Sequence, residues 1–394
     1  MVRAIDRLLL AVRPALTRAA LILLALAIFV PLAVERPPVG WVEPGGWVAL
    51  RAGVVFGLLA LVVLLRARLD ALEGRSGWGT VGLAVLAAAM GVAHWVLVER
   101  HPSKYEFGQG MYLDLLNYQG DAPHQYRLAP YGVTRLLEHA IGDWWLACVA
   151  YRWFFNFWLL WAWVRLVGQF SSGRWALAST LALVPLYPLS VAFYMGQLTD
   201  PLHHALFVLG LFWIVAGAFW PLVAAVFLGI FAKETNVVLV PAYFVYHAGN
   251  LGRTAVLGLA SVVAFVAARG LAWRPGFEAI NGTSGWMVGT NLGVGEPIAY
   301  TAVPLVHNYL HPLLFTLPFV AAIVLFGGHK GWRLWAMTLV VVAAVLLSSL
   351  CFSWLYESRN YVPFLPLLLA LALPQRLPSE ASLPTPTPTS RPTT

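Results

Sequence analysis

The sequence predicts an all-α, polytopic membrane protein of about 11 or 12 transmembrane helices. Three observations predict it. Of 394 residues, 60% are hydrophobic and only 11% are charged, against about 45–50% and 25% in soluble domains. Mean hydropathy is +0.75. Apolar runs recur at close to the ~20 residues needed to cross a bilayer as a helix. This composition excludes a soluble enzyme on a single anchor, a disordered chain and a nucleic-acid binder. The pI near 9.7 does not reverse that, because the chain has only three lysines and no dense basic stretch. Cys148 and Cys351 both lie in apolar runs and supply neither a disulfide framework nor a metal-ligand spacing.

Taken in order, the expected spans are 17–34, 49–65, 78–98, 144–164, 175–195, 202–218, 219–232, 236–248, 254–269, 303–326, 332–350 and 360–374. The seventh and eighth are too short to cross untilted and are expected as broken or half-crossing helices, which are tolerated where protein or a cavity surrounds them. A long basic leader, Met1 to Arg18, precedes the first run, and no small-residue cleavage site follows it, so we read an uncleaved span. Residues 1–376 form one transmembrane domain in this reading. Residues 377–394 are a Pro/Thr-rich tail expected to be disordered.

Orientation follows the basic residues in the loops. Alternating spans place Arg3, Arg7, Arg13, Arg18, Arg66, Arg68, Arg75, Arg165, Arg174, Lys330 and Arg333 on one face, the expected cytoplasmic face, with both termini. That face receives 14 Lys/Arg and 4 Asp/Glu, and the rest of the chain 11 and 13. The net charge of +8 is therefore mainly a topology signal. We expect an integral protein of a bacterial inner (plasma) membrane.

The chemistry is expected on the other face. The longest hydrophilic stretch, 99–143, is an extracytoplasmic loop too long for a passive connection. Its carboxylates Glu106, Asp114 and Asp121 can each deprotonate an acceptor hydroxyl or stabilise positive charge at a sugar carbon, and each can equally be a solvated loop acid. Gln125, Tyr126 and Arg127 follow. Arg127 suits bidentate phosphate binding or a pair with a loop acid. From Pro130 the period changes: Val133, Leu136, Leu137, Ala140 and Ile141 recur at helical spacing and Gly142 suits the stop. This amphipathic helix can lie in the lipid interface or pack on its neighbours.

Further polar groups interrupt the apolar runs. Gln197 and Asp200 end the fifth span. Asp200, His203 and His204 share a helical end and give a weak signal for a divalent cation, although no cofactor is firmly implied. Lys233 and Glu234 break a long apolar stretch, where an ionisable pair is a functional hypothesis by default. Glu357 and Arg359 open the last span. Arg152 and Asn156 lie inside the fourth, where Arg152 must face protein, water or phosphate. A second outer loop, 270–300, is glycine-rich and reads as a flexible cover.

This arrangement resembles the GT-C superfamily of integral-membrane glycosyltransferases, in its mannosyltransferase-like branch. Glu106 stands fourteen residues before Gly120, and Asp121-Ala122-Pro123-His124-Gln125-Tyr126-Arg127 follows. Gly196-Gln197-Leu198-Thr199-Asp200, Lys233-Glu234-Thr235 and Glu357-Ser358-Arg359 are similar to patterns in that superfamily. The likeness covers roughly residues 80–370. It departs in having Glu106 where the acid is usually Asp, and three spans rather than one before the loop. The resemblance implies a polyprenyl-phosphate sugar donor whose phosphate lies near Arg127, Lys233 or Arg359. Gln125, Tyr126, Arg152, Gln197, Asp200, Glu234 and Glu357 would complete the substrate site. Glu106, Asp114 or Asp121 would be the catalytic acid or base, and a glycan, lipid or protein the acceptor. The competing expectations are a secondary transporter or lipid-linked-sugar flippase, and a non-catalytic component of a polysaccharide assembly system.

Overall fold

The computed structural model describes residues 83–84, 86–87, 90, 126–192, 198–272, 311–326, 330–352 and 358–374. These residues are almost entirely helical, and none of them forms a strand. Three helices among them are long and apolar enough to cross a membrane: Thr199–Ala216, Leu251–Leu271 and Trp332–Cys351.

Ten α-helices are described. In chain order they are α1 (Leu128–Ile141), α2 (Trp144–Gly168), α3 (Gly173–Ala192), α4 (Thr199–Ala216), α5 (Phe219–Ile230), α6 (Leu239–Tyr246), α7 (Leu251–Ala272), α8 (His311–Phe326), α9 (Trp332–Phe352) and α10 (Leu365–Ala372). Short 3₁₀ segments, Glu234–Val238 and Ser358–Phe364, lead into α6 and α10. Helix α4 is the axis of the core. It packs on α2, α5 and α6, and its Phe207, Val208, Leu211 and Ile214 are buried. Helices α7, α8 and α9 line the outside and turn aliphatic side chains outward, among them Leu259, Val262, Val266, Val324, Leu339 and Leu347. An apolar exterior around a partly polar interior is the reverse of a soluble bundle.

The seventh and eighth expected spans are the two limbs of one hairpin. Helix α5 runs from Phe219, the chain breaks at Phe231–Lys233, and the 3₁₀ segment with α6 returns to Tyr246. At twelve and eight residues, α5 and α6 are about 18 Å and 12 Å long. The base of the hairpin lies beside the end of α4. There His247 Nε2 meets Ile214 O at 2.9 Å and Arg253 stacks on Phe219, 5.2 Å from the ring centre. Its tip lies beside the start of α4.

The last expected span is α-helical over only eight residues. Pro363 removes a donor within the preceding turn, so that turn stays 3₁₀. Every residue of α10 is buried, so it belongs to the core and not to the periphery. Helix α7 continues to Ala272, three residues into the stretch expected as the second outer loop. Of the third span, five residues are described, all helical. The first two spans, the tail and residues 273–310 lie outside the described residues.

Helix α1 forms where the sequence period placed it, and Gly142 closes it in the left-handed region (φ 83°) with its N–H on Glu138 O. Its apolar stripe divides between the two expected environments. Pro130, Tyr131 and Thr134 pack inward on α2, whereas Leu136 is 71% exposed and Ile141 is also exposed. The apolar stripe thus straddles the packing edge, with Val133 and Leu137 against the core and Leu136 and Ile141 outside it. Two loop charges are structural: Asp143 caps α2, accepting from Leu146 N at 2.8 Å, and Glu138 pairs with Arg135 at 2.7 Å.

Candidate functional site

The start of α4 carries the most buried carboxylate among the described residues. Asp200 sits in the first helical turn, where the backbone dipole favours negative charge, and is only 1% exposed. Two cations from distant segments converge on it. Arg359 Nη1 donates to Asp200 Oδ2 at 3.1 Å, and Lys233 Nζ stands 3.9 Å from Oδ1. Lys233 Nζ also donates to Asn360 Oδ1 at 2.7 Å. Charges held out of water in this way need close partners, because truncating one partner leaves the other uncompensated.

Lys233 is placed by the helix break. Its backbone N–H closes the end of α5 on Gly229 O at 2.8 Å. Asn236 then spans the break: its Nδ2 reaches Gly229 O at 2.9 Å, Lys233 O at 3.0 Å and His203 Nδ1 at 2.7 Å. Two of these acceptors are carbonyls, so the amide nitrogen must face them. His203 Nδ1 is therefore an acceptor, its hydrogen is on Nε2, and Nε2 donates to Thr235 Oγ1 at 3.3 Å. The ring is held neutral and ties the hairpin tip to α4. Gly229 is required by this contact, since a Cβ there would lie 2.5 Å from Asn236 Cγ.

Next to Lys233 a second ion pair joins the tip to the start of α1. Arg127 Nε and Nη2 approach Glu234 Oε2 at 3.3 and 3.2 Å. The backbone repeats the link, with Ala129 N donating to Phe231 O at 3.2 Å. Arg269, near the end of α7, stacks on the Tyr126 ring at 4.6 Å and on Phe265 at 3.3 Å. Tyr131 is buried on the inner face of α1. Burial pushes its phenol well above the usual value, with the Arg127 charge opposing, so it is a neutral hydroxyl within electrostatic range of Arg127, Asp200 and Arg359.

The structure therefore brings together Tyr126, Arg127, Asp200, Lys233, Glu234 and Arg359, which lie on four separate segments of the sequence. Arg152 is buried on α2, with Tyr187 within electrostatic reach of both it and Asp200. Glu106, Asp114, Asp121, Gln125, Gln197 and Glu357 lie outside the described residues. The expected cation trio is divided among different partners: Asp200 faces Arg359 and Lys233, His203 faces Asn236 and Thr235, and His204 Nδ1 meets Tyr187 Oη at 3.1 Å. Among the described residues no group of three His, Cys, Asp or Glu side chains is disposed to hold a metal ion.

Sequence reasoning missed Asn236, Tyr131 and Arg269. Asn236 had a signal, because it extends the polar interruption Lys233-Glu234-Thr235 by one residue. Arg269 had none beyond ending an apolar run. Compared with known proteins, no family model, no curated protein and no solved structure matches the chain.

Proposed function

We propose that this chain is a polytopic membrane glycosyltransferase that moves a sugar from a polyprenyl-phosphate donor to an extracytoplasmic glycan, lipid or protein acceptor. One observation carries the reading. Arg127, Lys233 and Arg359, from three distant segments, meet Glu234 and Asp200 at one end of the helical bundle. Expected cytoplasmic residues lie at the opposite end, where Lys330 Nζ donates to Phe170 O at 2.9 Å. By the positive-inside rule, the charged cluster then faces outward.

The chemistry suits the leaving group. When the sugar–phosphate bond breaks, charge develops on a phosphate oxygen. Preorganised Arg and Lys in a site shielded from water stabilise it without reorganisation. Asp200, between two cations, is poorly suited to accept a proton. Its role in this account is to hold Arg359 and Lys233 in position. The base that deprotonates the acceptor comes from Glu106, Asp114 or Asp121. The outward aliphatic faces of α7, α8 and α9 contact lipid, and the exposed edge of α1 lies at the interface.

One observation favours a second reading, a secondary transporter or lipid-linked-sugar flippase: the α5–α6 hairpin consists of two short helices with charged residues at its tip, and unusually short apolar segments mark the binding sites of many transporters. The test is reconstitution of the full chain in liposomes with radiolabelled polyprenyl-phosphate hexoses and a lipid or glycan acceptor. The transferase reading expects labelled product, and at least one of Glu106→Gln, Asp114→Asn and Asp121→Asn to abolish it in a folded protein. Movement of the donor between leaflets with no product would establish the transporter reading instead.

A further inference from the structure

Glu234 is held by Arg127 in an unusual way. Both contacting nitrogens of Arg127 share one carboxylate oxygen, Oε2. The other, Oε1, is buried and has no hydrogen-bond partner among the described residues. A guanidinium and a carboxylate bind best with two parallel bonds, one to each oxygen. Here the fork is used on a single atom, while a buried acceptor is left unsatisfied, which is itself costly. Arg269 reaches this region from α7: its guanidinium carbon lies 4.6 Å from the ring centre of Tyr126, the residue before Arg127, and 3.3 Å from that of Phe265. Stacking fixes its plane but leaves its N–H edge for an acceptor. Glu234 is the nearby carboxylate that Arg269 feels. Glu234 is 26% exposed and Arg127 11%, so the pair is reachable from the end of the bundle.

We propose that Arg127 and Arg269 form a phosphate-binding subsite in which Glu234 is the resident anion, displaced when a phosphate group arrives. A phosphate offers several oxygens where Glu234 uses one, so it can engage both the Arg127 fork and the Arg269 edge. The displaced Glu234 swings away from Arg127 and frees both cations for the ligand. Occupancy thereby removes the side-chain half of the link between α1 and the hairpin tip that also carries Lys233, and leaves the backbone bond from Ala129 N to Phe231 O. The inference deepens the transferase reading and rests on it for the source of the phosphate, the polyprenyl-phosphate headgroup.

The test is equilibrium binding to the full chain in nanodiscs, with two probes: radiolabelled polyprenyl phosphate and inorganic phosphate. Neither carries a sugar, so the result is independent of transfer. Glu234→Gln removes the competing charge and should tighten binding by about fivefold. Arg269→Gln should weaken it by about tenfold, the loss expected for one charge-assisted hydrogen bond. Glu234→Asp keeps the competing charge and should not tighten binding, which separates displacement from a general loosening of the site. If polyprenyl phosphate follows this pattern, the ligand is the lipid headgroup. If only inorganic phosphate follows it, the subsite takes free phosphate. Binding unchanged or weakened in a folded Glu234→Gln protein, or unchanged in folded Arg269→Gln, overturns the proposal. Normal binding behaviour without sugar transfer would instead overturn the transferase reading alone.

Discussion

Two parts of the bundle turn the chain by different means. At the end carrying Lys330 and Arg253, the turns before α5 and α7 use left-handed glycines. Gly217 (φ 73°) and Gly249 (φ 85°) adopt the left-handed conformation, and backbone N–H groups such as that of Gly217 cap the preceding helices. At the other end, the break after α5 rests on side chains. Asn236 substitutes for missing backbone partners, His203 and Thr235 anchor it, and Lys233 and Glu234 enter ion pairs. A turn that only reverses direction needs a glycine. The second turn spends buried polar groups that are costly to desolvate, and it delivers two charged residues to Asp200 and Arg127. The contrast is between turns that only reverse the chain and one that also positions charge.

Removing the centre of the charged end should have the largest effect. Asp200→Asn leaves Arg359 and Lys233 without their shared carboxylate and should cost about 3–5 kcal/mol, the range for breaking a buried ion pair. Thermal unfolding in detergent measures it, and a loss within experimental error would show that the cluster is solvated. Gly229→Ala comes next. The new Cβ drives into Asn236, and overpacking at a buried contact costs about 1–3 kcal/mol. The same substitution at Gly217 probes the other end. Nothing lies within 4 Å of a Cβ there, so only the left-handed backbone is strained, by about 1 kcal/mol. If Gly217→Ala proved the more damaging of the two, the contrast between the ends would fail.

The smallest effect is a pH dependence at the glycine-turned end. Burial lowers the Lys330 ammonium from 10.5 to about 8. Between those values the unfolded chain binds more protons than the native one, so stability should rise with pH through that window. Lys330→Met should abolish the rise, which unfolding midpoints at pH 7.5, 9 and 10.5 would record.

Much of the helical layout was legible in the sequence. The period through Val133, Leu137 and Ala140 placed α1, and the polar Lys233-Glu234 step located the break. The charges of Arg127, Asp200, Lys233 and Arg359 were visible as costly exceptions in an apolar chain. Their convergence was not, because local periodicity carries no information about which helix ends meet. The spacing left the apolar stripe of α1 open between lipid and neighbouring helices, and the structure divides it: Val133 and Leu137 pack on the core while Leu136 and Ile141 stay outside, because periodicity gives a face but not its partner. The period of 219–248 suggested two short spans. Their identity as one hairpin depends on Asn236, whose hydrogen bonds reach residues up to 33 positions away.

The central claim is that the side-chain-built end is where chemistry occurs. The most direct test compares sugar transfer from polyprenyl-phosphate hexoses by the reconstituted full chain in two sets of variants. Lys233→Gln and Arg359→Gln alter the charged end; Arg253→Gln and Lys330→Met alter the other. The account predicts that the first pair loses transfer by about a hundredfold or more, the scale for losing a group that stabilises developing charge, and that the second pair keeps it within about twofold while all four variants remain folded. Equal losses at both ends, or full activity in Lys233→Gln and Arg359→Gln, would contradict it.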